Sequence, residues 1–90
     1  MYSKSTTVVN PTGLHARPAA TLATEAGAFG SRVQIRNVTK GSDFKDASSM
    51  LSIMMLSITQ GDEVELKAEG DDEQKAVETL TALIDSGFGE

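Results

Sequence analysis

The chain has 90 residues with one histidine and no cysteine, which predicts one small domain spanning residues 1–90, without disulfides, a structural metal site or a cofactor. Eight lysines and arginines against 13 aspartates and glutamates give a net charge of -5, the opposite of the balance typical of nucleic-acid-binding proteins. There is no apolar run of about 18 residues to insert into a membrane, and no apolar signal core near the N-terminus. With the absence of cysteine, this indicates a soluble domain of the cytoplasm.

The first third of the chain predicts a strand, a helix and a second strand. Residues 6–9 are β-branched and favour a strand, which the Asn-Pro-Thr-Gly loop at 10–13 ends. Residues 32–36 alternate between polar and apolar side chains and predict a half-buried strand. Between these strands, apolar residues with helical spacing predict a helix from Ala16 that Gly27 caps: Ala19, Leu22, Ala23 and Ala26.

The middle of the chain predicts a hairpin and a short helix. A turn near residues 40–41 leads to a short strand at 42–45. Ser48 or Ser49 then caps a helix that runs through Leu56.

The last third predicts a strand and a long helix. Residues 63–68 alternate, and the acidic run at 70–73 marks the start of a helix that Gly87 ends. The apolar stripe of this helix consists of Ala76, Val77, Leu80, Leu83 and Ile84. The order β-α-β-β-α-β-α predicts an α+β fold, a two-layer open-faced β-sandwich in which three helices cover one face of a four-stranded antiparallel sheet.

The most distinctive segment is Gly13-Leu14-His15-Ala16-Arg17-Pro18-Ala19-Ala20, which contains the only histidine. It places the His15 imidazole at the start of a helix, where the first N–H groups lack partners and the dipole is positive. Such an end attracts anions, so a nucleophilic ring nitrogen there suggests a residue that accepts and passes on a phosphoryl group. Pro18 fits the first turn and leaves the N–H groups of Ala16 and Arg17 for a phosphate.

Two side chains near His15 are further candidates for phosphate contact. The guanidinium fork of Arg17 suits phosphate oxygens and is expected to stabilise the transferring group, although a solvated surface arginine is the alternative. The hydroxyl of Thr12 either contacts the phosphate or serves only the turn.

Residues 50–58 carry more apolar side chains than one helix face needs. If Ile53, Leu56 and Ile58 fill the core, the remaining ones face solvent beside His15: Met50, Leu51 and Met54. A methionine-rich patch suits docking of several partners in turn. The alternative is that these residues pack inward under the hairpin.

Residues 12–19 closely resemble the active-site signature of the histidine-containing phosphocarrier (HPr) family of the bacterial phosphoenolpyruvate-dependent phosphotransferase system. Residues 58–64, residues 68–73 and the tail Phe88-Gly89-Glu90 are similar to the family as well. The resemblance implies the open-faced sandwich and a monomeric phosphoryl carrier rather than an enzyme.

The same resemblance implies roles for individual residues and partners. Enzyme I would phosphorylate His15, giving a pros-phosphohistidine, and enzyme IIA domains of sugar permeases would receive the group. The family's conserved arginine corresponds to Arg17, and its regulatory serine corresponds to Ser49. HPr kinase/phosphorylase and transcriptional regulators are the further partners that the family suggests.

The chain departs from common members at three places. Segment 37–46 is a few residues longer, Ser48 stands where lysine is frequent, and Ser52 stands where glycine is frequent. These departures bear on recognition by the kinase, so an unmodified helix cap is the alternative for Ser49. Residues 51–56 and 85–88 also resemble the nitrogen-related phosphotransfer branch, which leaves a regulatory binding module as the alternative function. A hydrolytic enzyme is disfavoured, because the chain has one histidine and little room for a deep pocket.

Overall fold

The computed structural model describes residues 1–89, and its elements follow the predicted order. The strands are β1 (Tyr2–Thr7), β2 (Arg32–Asn37), β3 (Lys45–Asp46) and β4 (Glu63–Glu69), and the helices are α1 (Ala16–Gly27), α2 (Met50–Met54) and α3 (Glu73–Asp85). A 3-10 turn, Gly87–Gly89, follows α3, and Glu90 of the family-like tail lies outside the described residues. Over residues 1–89, every helix is too short or too polar to cross a membrane.

The four strands form one antiparallel sheet in the order β1-β4-β2-β3. The last strand in the chain, β4, lies inside the sheet, where its Ala68 is opposite Tyr2 of β1 on one side and Val33 of β2 on the other. β3 contributes an edge of two residues, with Lys45 opposite Ile35 of β2. The predicted α+β open-faced sandwich is therefore confirmed.

The core lies between the sheet and the helices, because alternate residues of the inner strands are buried: Val33, Ile35, Val64, Leu66 and Ala68. The buried faces of the helices pack against them: Ala19, Leu22, Ala23, Ala26, Ile53, Ala76, Val77, Leu80 and Ile84. Each of the larger apolar side chains contributes roughly 1.5–3 kcal/mol by leaving water. Leu83 is only partly buried, and Thr81 is buried instead, with its hydroxyl donating to the carbonyl of Val77 at 2.9 Å.

The predicted boundaries of β1 and α1 were wrong. β1 runs from Tyr2 to Thr7 rather than over residues 6–9. The regular ladder ends at Thr7 because Val8 faces two residues of the partner chain: its N–H donates to the carbonyl of Asp62 at 2.9 Å, and its carbonyl accepts from the N–H of Gly61 at 2.8 Å. Gly27 is the last residue of α1 rather than its cap. Ala28 is the cap, in right-handed helical conformation, and its N–H donates to the carbonyl of Glu25 in a tightened last turn.

Two boundaries in the middle also differ from the prediction. β3 is limited to Lys45–Asp46, because Ser42 belongs to the turn, where its Oγ accepts from the N–H of Asn37 at 2.8 Å. α2 ends at Met54 rather than Leu56, because the following residues close with i→i−3 hydrogen bonds and Ser57 takes a left-handed φ of 51°. Ser49, not Ser48, is the cap of α2.

The long hairpin segment 37–46 also covers part of the outer face of the sheet. The ring of Phe44 lies 4.0 Å from Nζ of Lys67 and 5.2 Å from the guanidinium carbon of Arg36. Arg36 Nε donates to a carboxylate oxygen of Glu65 on the adjacent strand at 2.7 Å. The cation–π contacts hold this segment against β2 and β4, and the ion pair joins those two strands to each other.

Candidate functional site

The turn before α1 is fixed by a buried side chain, Asn10. Its amide nitrogen donates to the carbonyl of Gly13 at 2.6 Å and to Oγ1 of Thr12 at 3.1 Å. Asn10 therefore ties both ends of the turn together. The sequence indicated only a loop here, although Asn before Pro is a turn signal.

Gly13 is the point where this turn contacts the rest of the protein. Its φ is 61°, and a Cβ added to it would lie 2.5 Å from the carbonyl oxygen of Ile58 and 2.8 Å from Cα of Thr59. The next residue, Leu14, is buried, and its N–H donates to the same Ile58 carbonyl at 3.1 Å. Only glycine combines this conformation with so close a backbone approach.

His15 is the N-cap residue of α1, in extended conformation, and its side chain is exposed. Its carbonyl accepts from the N–H of Ala19 at 2.8 Å, but its imidazole makes no capping hydrogen bond. The N–H groups of Ala16 and Arg17 precede the first intrahelical donor, so they remain available to an anion. The predicted position of His15 at the helix start is thus confirmed.

The predicted phosphate-contact residues come together beside His15. A shallow cavity of about 280 Å³ is lined by Thr12, His15, Ala16, Arg17 and Pro18. Arg17 is exposed in the first turn of α1, and across residues 1–89 no carboxylate forms an ion pair with it. The cavity therefore offers helix N–H groups, a guanidinium and a hydroxyl to an anion next to the imidazole.

A second cavity, of about 250 Å³, opens on the other side of His15. It is lined by Leu14, His15, Lys40, Met54, Ser57, Ile58 and Thr59. Lys40 and Ser57 were not among the residues that the sequence singled out. They reach the site from other parts of the chain, and no local motif marks them.

Asp62 is a buried carboxylate close to this second cavity. It accepts hydrogen bonds from the backbone N–H of Thr59 at 3.0 Å, from the side-chain amide of Asn37 at 3.0 Å and from Oγ1 of Thr59 at 3.2 Å, and Nζ of Lys40 lies 3.1 Å away. The Thr59 N–H, with the Asn37 amide and the Lys40 ammonium, lowers the pKa of Asp62 to about 2, although burial acts in the opposite direction.

The predicted partner patch lies on α2. Leu51 is 71% exposed, Met50 and Met54 are each a little more than one third exposed, and Met55, which was not predicted, is 65% exposed. Met54 lines the second cavity with His15, so it lies beside the histidine as expected. Met50 and Leu51 face solvent on the same helix, and the alternative of inward packing is wrong.

Ser49 caps α2, since its Oγ accepts from the N–H of Ser52 at 3.3 Å. The neighbouring Ser48 instead donates its hydroxyl and its N–H to the carboxylate of Asp46, which lowers the pKa of that aspartate. The two adjacent serines therefore differ in their partners and in their place relative to the helix.

Comparison with known proteins identifies the family. Residues 2–86 match the family model described as the PTS HPr component phosphorylation site. The chain belongs to the HPr family. It is 44% identical over 84 residues to the phosphocarrier protein HPr of Haemophilus influenzae, covering 93% of this chain and 95% of that protein. It also matches the multiphosphoryl transfer protein of that organism at 40% identity over 93% of the chain, but spans only 17% of the length of that relative.

Solved structures agree with this assignment. HPr-C-His from Thermoanaerobacter tengcongensis superposes with a TM-score of 0.92 at 42% identity, covering all of this chain and 98% of that one. A structure of an HPr dimer from the same organism superposes with a TM-score of 0.76, also at 42% identity and over the full length of both chains. As a member of the HPr family, the chain is a phosphoryl carrier of the phosphotransferase system and not an enzyme.

Proposed function

We propose that His15 is the phosphoryl acceptor, that phosphorylated enzyme I charges it, and that enzyme IIA domains of sugar permeases receive the group. The observation that carries this proposal is the exposed imidazole of His15, which lies at the start of α1, makes no capping hydrogen bond and lines a cavity together with Arg17. Because the ring is exposed, it is accessible both to phosphorylated enzyme I and, after phosphorylation, to the accepting enzyme IIA domain.

The following step would give the pros-phosphohistidine that the family resemblance implies, and the geometry of the helix end supports it. Nδ1 of His15 attacks phosphorus, the bond between phosphorus and the donor breaks with its electron pair staying on the donor, and Nε2 keeps the ring proton. In this proposal the N–H groups of Ala16 and Arg17 and the guanidinium of Arg17 stabilise the negative charge on the transferring oxygens. The same contacts act when the group leaves His15 for the next acceptor.

The acceptor is tested with phosphoenolpyruvate that carries a labelled phosphoryl group, together with enzyme I. We expect label on the unmodified chain and none on the variant His15→Ala. The variant should fold normally, because His15 is exposed and caps nothing with its side chain. Full labelling of a folded His15→Ala protein would overturn the assignment.

The acceptors are tested in a second step. The charged carrier is offered to enzyme IIA domains of sugar permeases and, in parallel, to those of the nitrogen-related branch. We expect rapid transfer to the sugar enzymes, whereas transfer confined to the nitrogen-related enzymes would make the chain a regulatory module of that branch.

We also propose that Ser49 takes a regulatory phosphate that weakens docking of enzyme I. The support is its position, half-buried at the start of a helix that exposes Met50 and Leu51. About two negative charges beside this apolar patch would have to be desolvated when a partner covers it. HPr kinase/phosphorylase should label the Ser48→Ala variant but not Ser49→Ala, and the labelled protein should bind enzyme I more weakly. Equal affinity would leave Ser49 a plain cap.

The working form is proposed to be a monomer in the cytoplasm. The support is that His15, Ala16 and Arg17 are consecutive at the start of α1 and Thr12 lies in the turn directly before it, so local folding alone brings them together. Sedimentation at concentrations used in the transfer assay should give the mass of one chain. A dimer that exchanges phosphoryl groups as fast as a monomer would contradict this proposal.

A further inference from the structure

Lys40 connects the long hairpin to the loop beneath His15. Its ammonium donates to the carbonyl of Ser57 and lies 3.1 Å from Oδ2 of Asp62. Its side chain is 43% exposed, so more than half of its surface is covered. Lys40 also lines the cavity that His15 shares with Met54.

The loop that Lys40 contacts, residues 56–59, is held at both ends by the same buried cluster. Asp62 accepts from the N–H and the hydroxyl of Thr59 at one end. At the other end the amide of Asn37 donates to the carbonyl of Leu56 at 3.2 Å while also donating to Asp62. The middle of the loop, at Ser57, is where the Lys40 ammonium is attached.

Ser57 needs such an attachment because its backbone is strained. Its φ of 51° is in the left-handed region, which residues with a side chain rarely adopt. A hydrogen bond from Lys40 to the carbonyl of Ser57 favours the peptide orientation that this conformation produces. Without that bond, we expect Ser57 to relax to a conformation with negative φ.

The position of this loop determines the position of the His15 turn. The carbonyl of Ile58 accepts the N–H of Leu14, the residue directly before His15, and the backbone of Gly13 packs against the same carbonyl. A shift of the loop at Ser57 is therefore passed to the start of α1 through one hydrogen bond and one close backbone contact.

We propose that Lys40 is a positioning residue for phosphoryl transfer at His15, acting through Ser57 and Ile58. The proposal rests on His15 being the acceptor. A role in docking is disfavoured, because the ammonium is turned toward a carbonyl and a carboxylate of its own chain. The long hairpin thus has a function in the transfer step, as the segment that supplies Lys40.

The test compares Lys40→Met, Lys40→Arg and a control, Lys75→Met, which removes an exposed lysine of α3. With the chain as the varied substrate of enzyme I, we expect Lys40→Met to lower kcat by about tenfold with KM unchanged, as for a displaced reacting group. Lys40→Arg keeps two or more donors for Ser57 and Asp62 and should retain most of kcat. Lys75→Met should match the unmodified chain. A raised KM with unchanged kcat for Lys40→Met would show a docking role and overturn the proposal.

A second variant tests the path through Ser57. Glycine adopts left-handed φ without strain, so Lys40→Met combined with Ser57→Gly should recover most of the lost kcat. Failure of Ser57→Gly to recover any activity would refute the path through this loop.

Amide exchange of Leu14 tests the anchoring without any partner protein. Loss of the Lys40 contact should reduce the exchange protection of the Leu14 N–H, and adding Ser57→Gly should restore it. If protection of the Leu14 N–H is unchanged in Lys40→Met, Lys40 does not anchor the loop, and only the positioning proposal fails. Phosphoryl label on His15→Ala would instead refute His15 as the acceptor, and with it the positioning of His15 by Lys40.

Discussion

Gly13→Ala should destabilise the protein far more than the same change at another left-handed glycine, Gly41. Both residues have similar φ, 61° and 70°, so both variants suffer the conformational cost of alanine in that region, about 1–2 kcal/mol. At Gly41 nothing lies within 4 Å of the added methyl group. At Gly13 the methyl group meets the Ile58 carbonyl at 2.5 Å and Cα of Thr59 at 2.8 Å, and backbone atoms cannot rotate away.

Forcing an added carbon into a packed site costs about 1–3 kcal/mol more. The expected losses in unfolding free energy are therefore about 2–5 kcal/mol for Gly13→Ala and about 1–2 kcal/mol for Gly41→Ala. Urea unfolding followed by circular dichroism measures both values, and the difference between them isolates the steric term, because the effect of alanine on the unfolded chain is shared. Phosphoryl transfer at 20 °C should also slow in Gly13→Ala, since the turn before His15 must move. Equal losses in the two variants would refute the close approach of Gly13 to Ile58.

Three further results are expected. Arg17→Ala should slow phosphoryl transfer by about 100-fold, since one charged contact in a transition state is worth about 3 kcal/mol. The same variant should change the unfolding free energy by no more than about 0.5 kcal/mol. A transfer rate equal to that of the control Arg32→Ala would make Arg17 a plain surface residue. The pKa of Asp62 is lowered to about 2, so the stabilisation from its carboxylate is complete above the ordinary pKa of 3.8 and is lost as the pH falls toward 2. After allowance for solvent screening near the surface, this stabilisation is about 1–2 kcal/mol. The unfolding free energy measured in urea should therefore fall more steeply between pH 6 and 2 for the unmodified chain than for Asp62→Asn, and parallel curves would contradict the lowered pKa. Leu51→Ser should raise KM for enzyme I while leaving urea unfolding unchanged within about 0.5 kcal/mol, because the side chain is 71% exposed; an unchanged KM would remove Leu51 from the docking surface.

The sequence predicted most accurately the features that depend on the geometry of a single helix or strand. The helical spacing of Ala19, Leu22, Ala23 and Ala26 and the alternation in β4 depend on local geometry, and both were confirmed by burial in the structure. Boundaries were less accurate because partners set them. The β1 ladder stops where Val8 faces both Gly61 and Asp62 of the neighbouring chain, and α2 stops where Ser57 takes a left-handed conformation. Neither cause lies inside the element concerned.

The same distinction holds for the candidate site. His15, Ala16 and Arg17 are neighbours in the chain, so their meeting at the start of α1 could be predicted from spacing alone. Lys40 and Asp62 join the site from a hairpin and a loop that are distant in sequence from His15. A lysine in a polar turn and an aspartate after a glycine are ordinary on any surface, so only the fold shows that they face each other.

The place of β4 inside the sheet has a consequence for how the protein is made. Within residues 1–89, β1 pairs only with β4, which is synthesised some sixty residues later; Tyr2, for example, pairs with Ala68. While a ribosome is still adding the middle of the chain, β1 has no strand to join, and β2 has only the two residues of β3. Contacts between such distant segments slow folding, and an unpaired strand is prone to associate with other chains. In the nascent chain, β1 should therefore be the segment most prone to associate with other chains, and pausing of translation before residue 63 should increase aggregation.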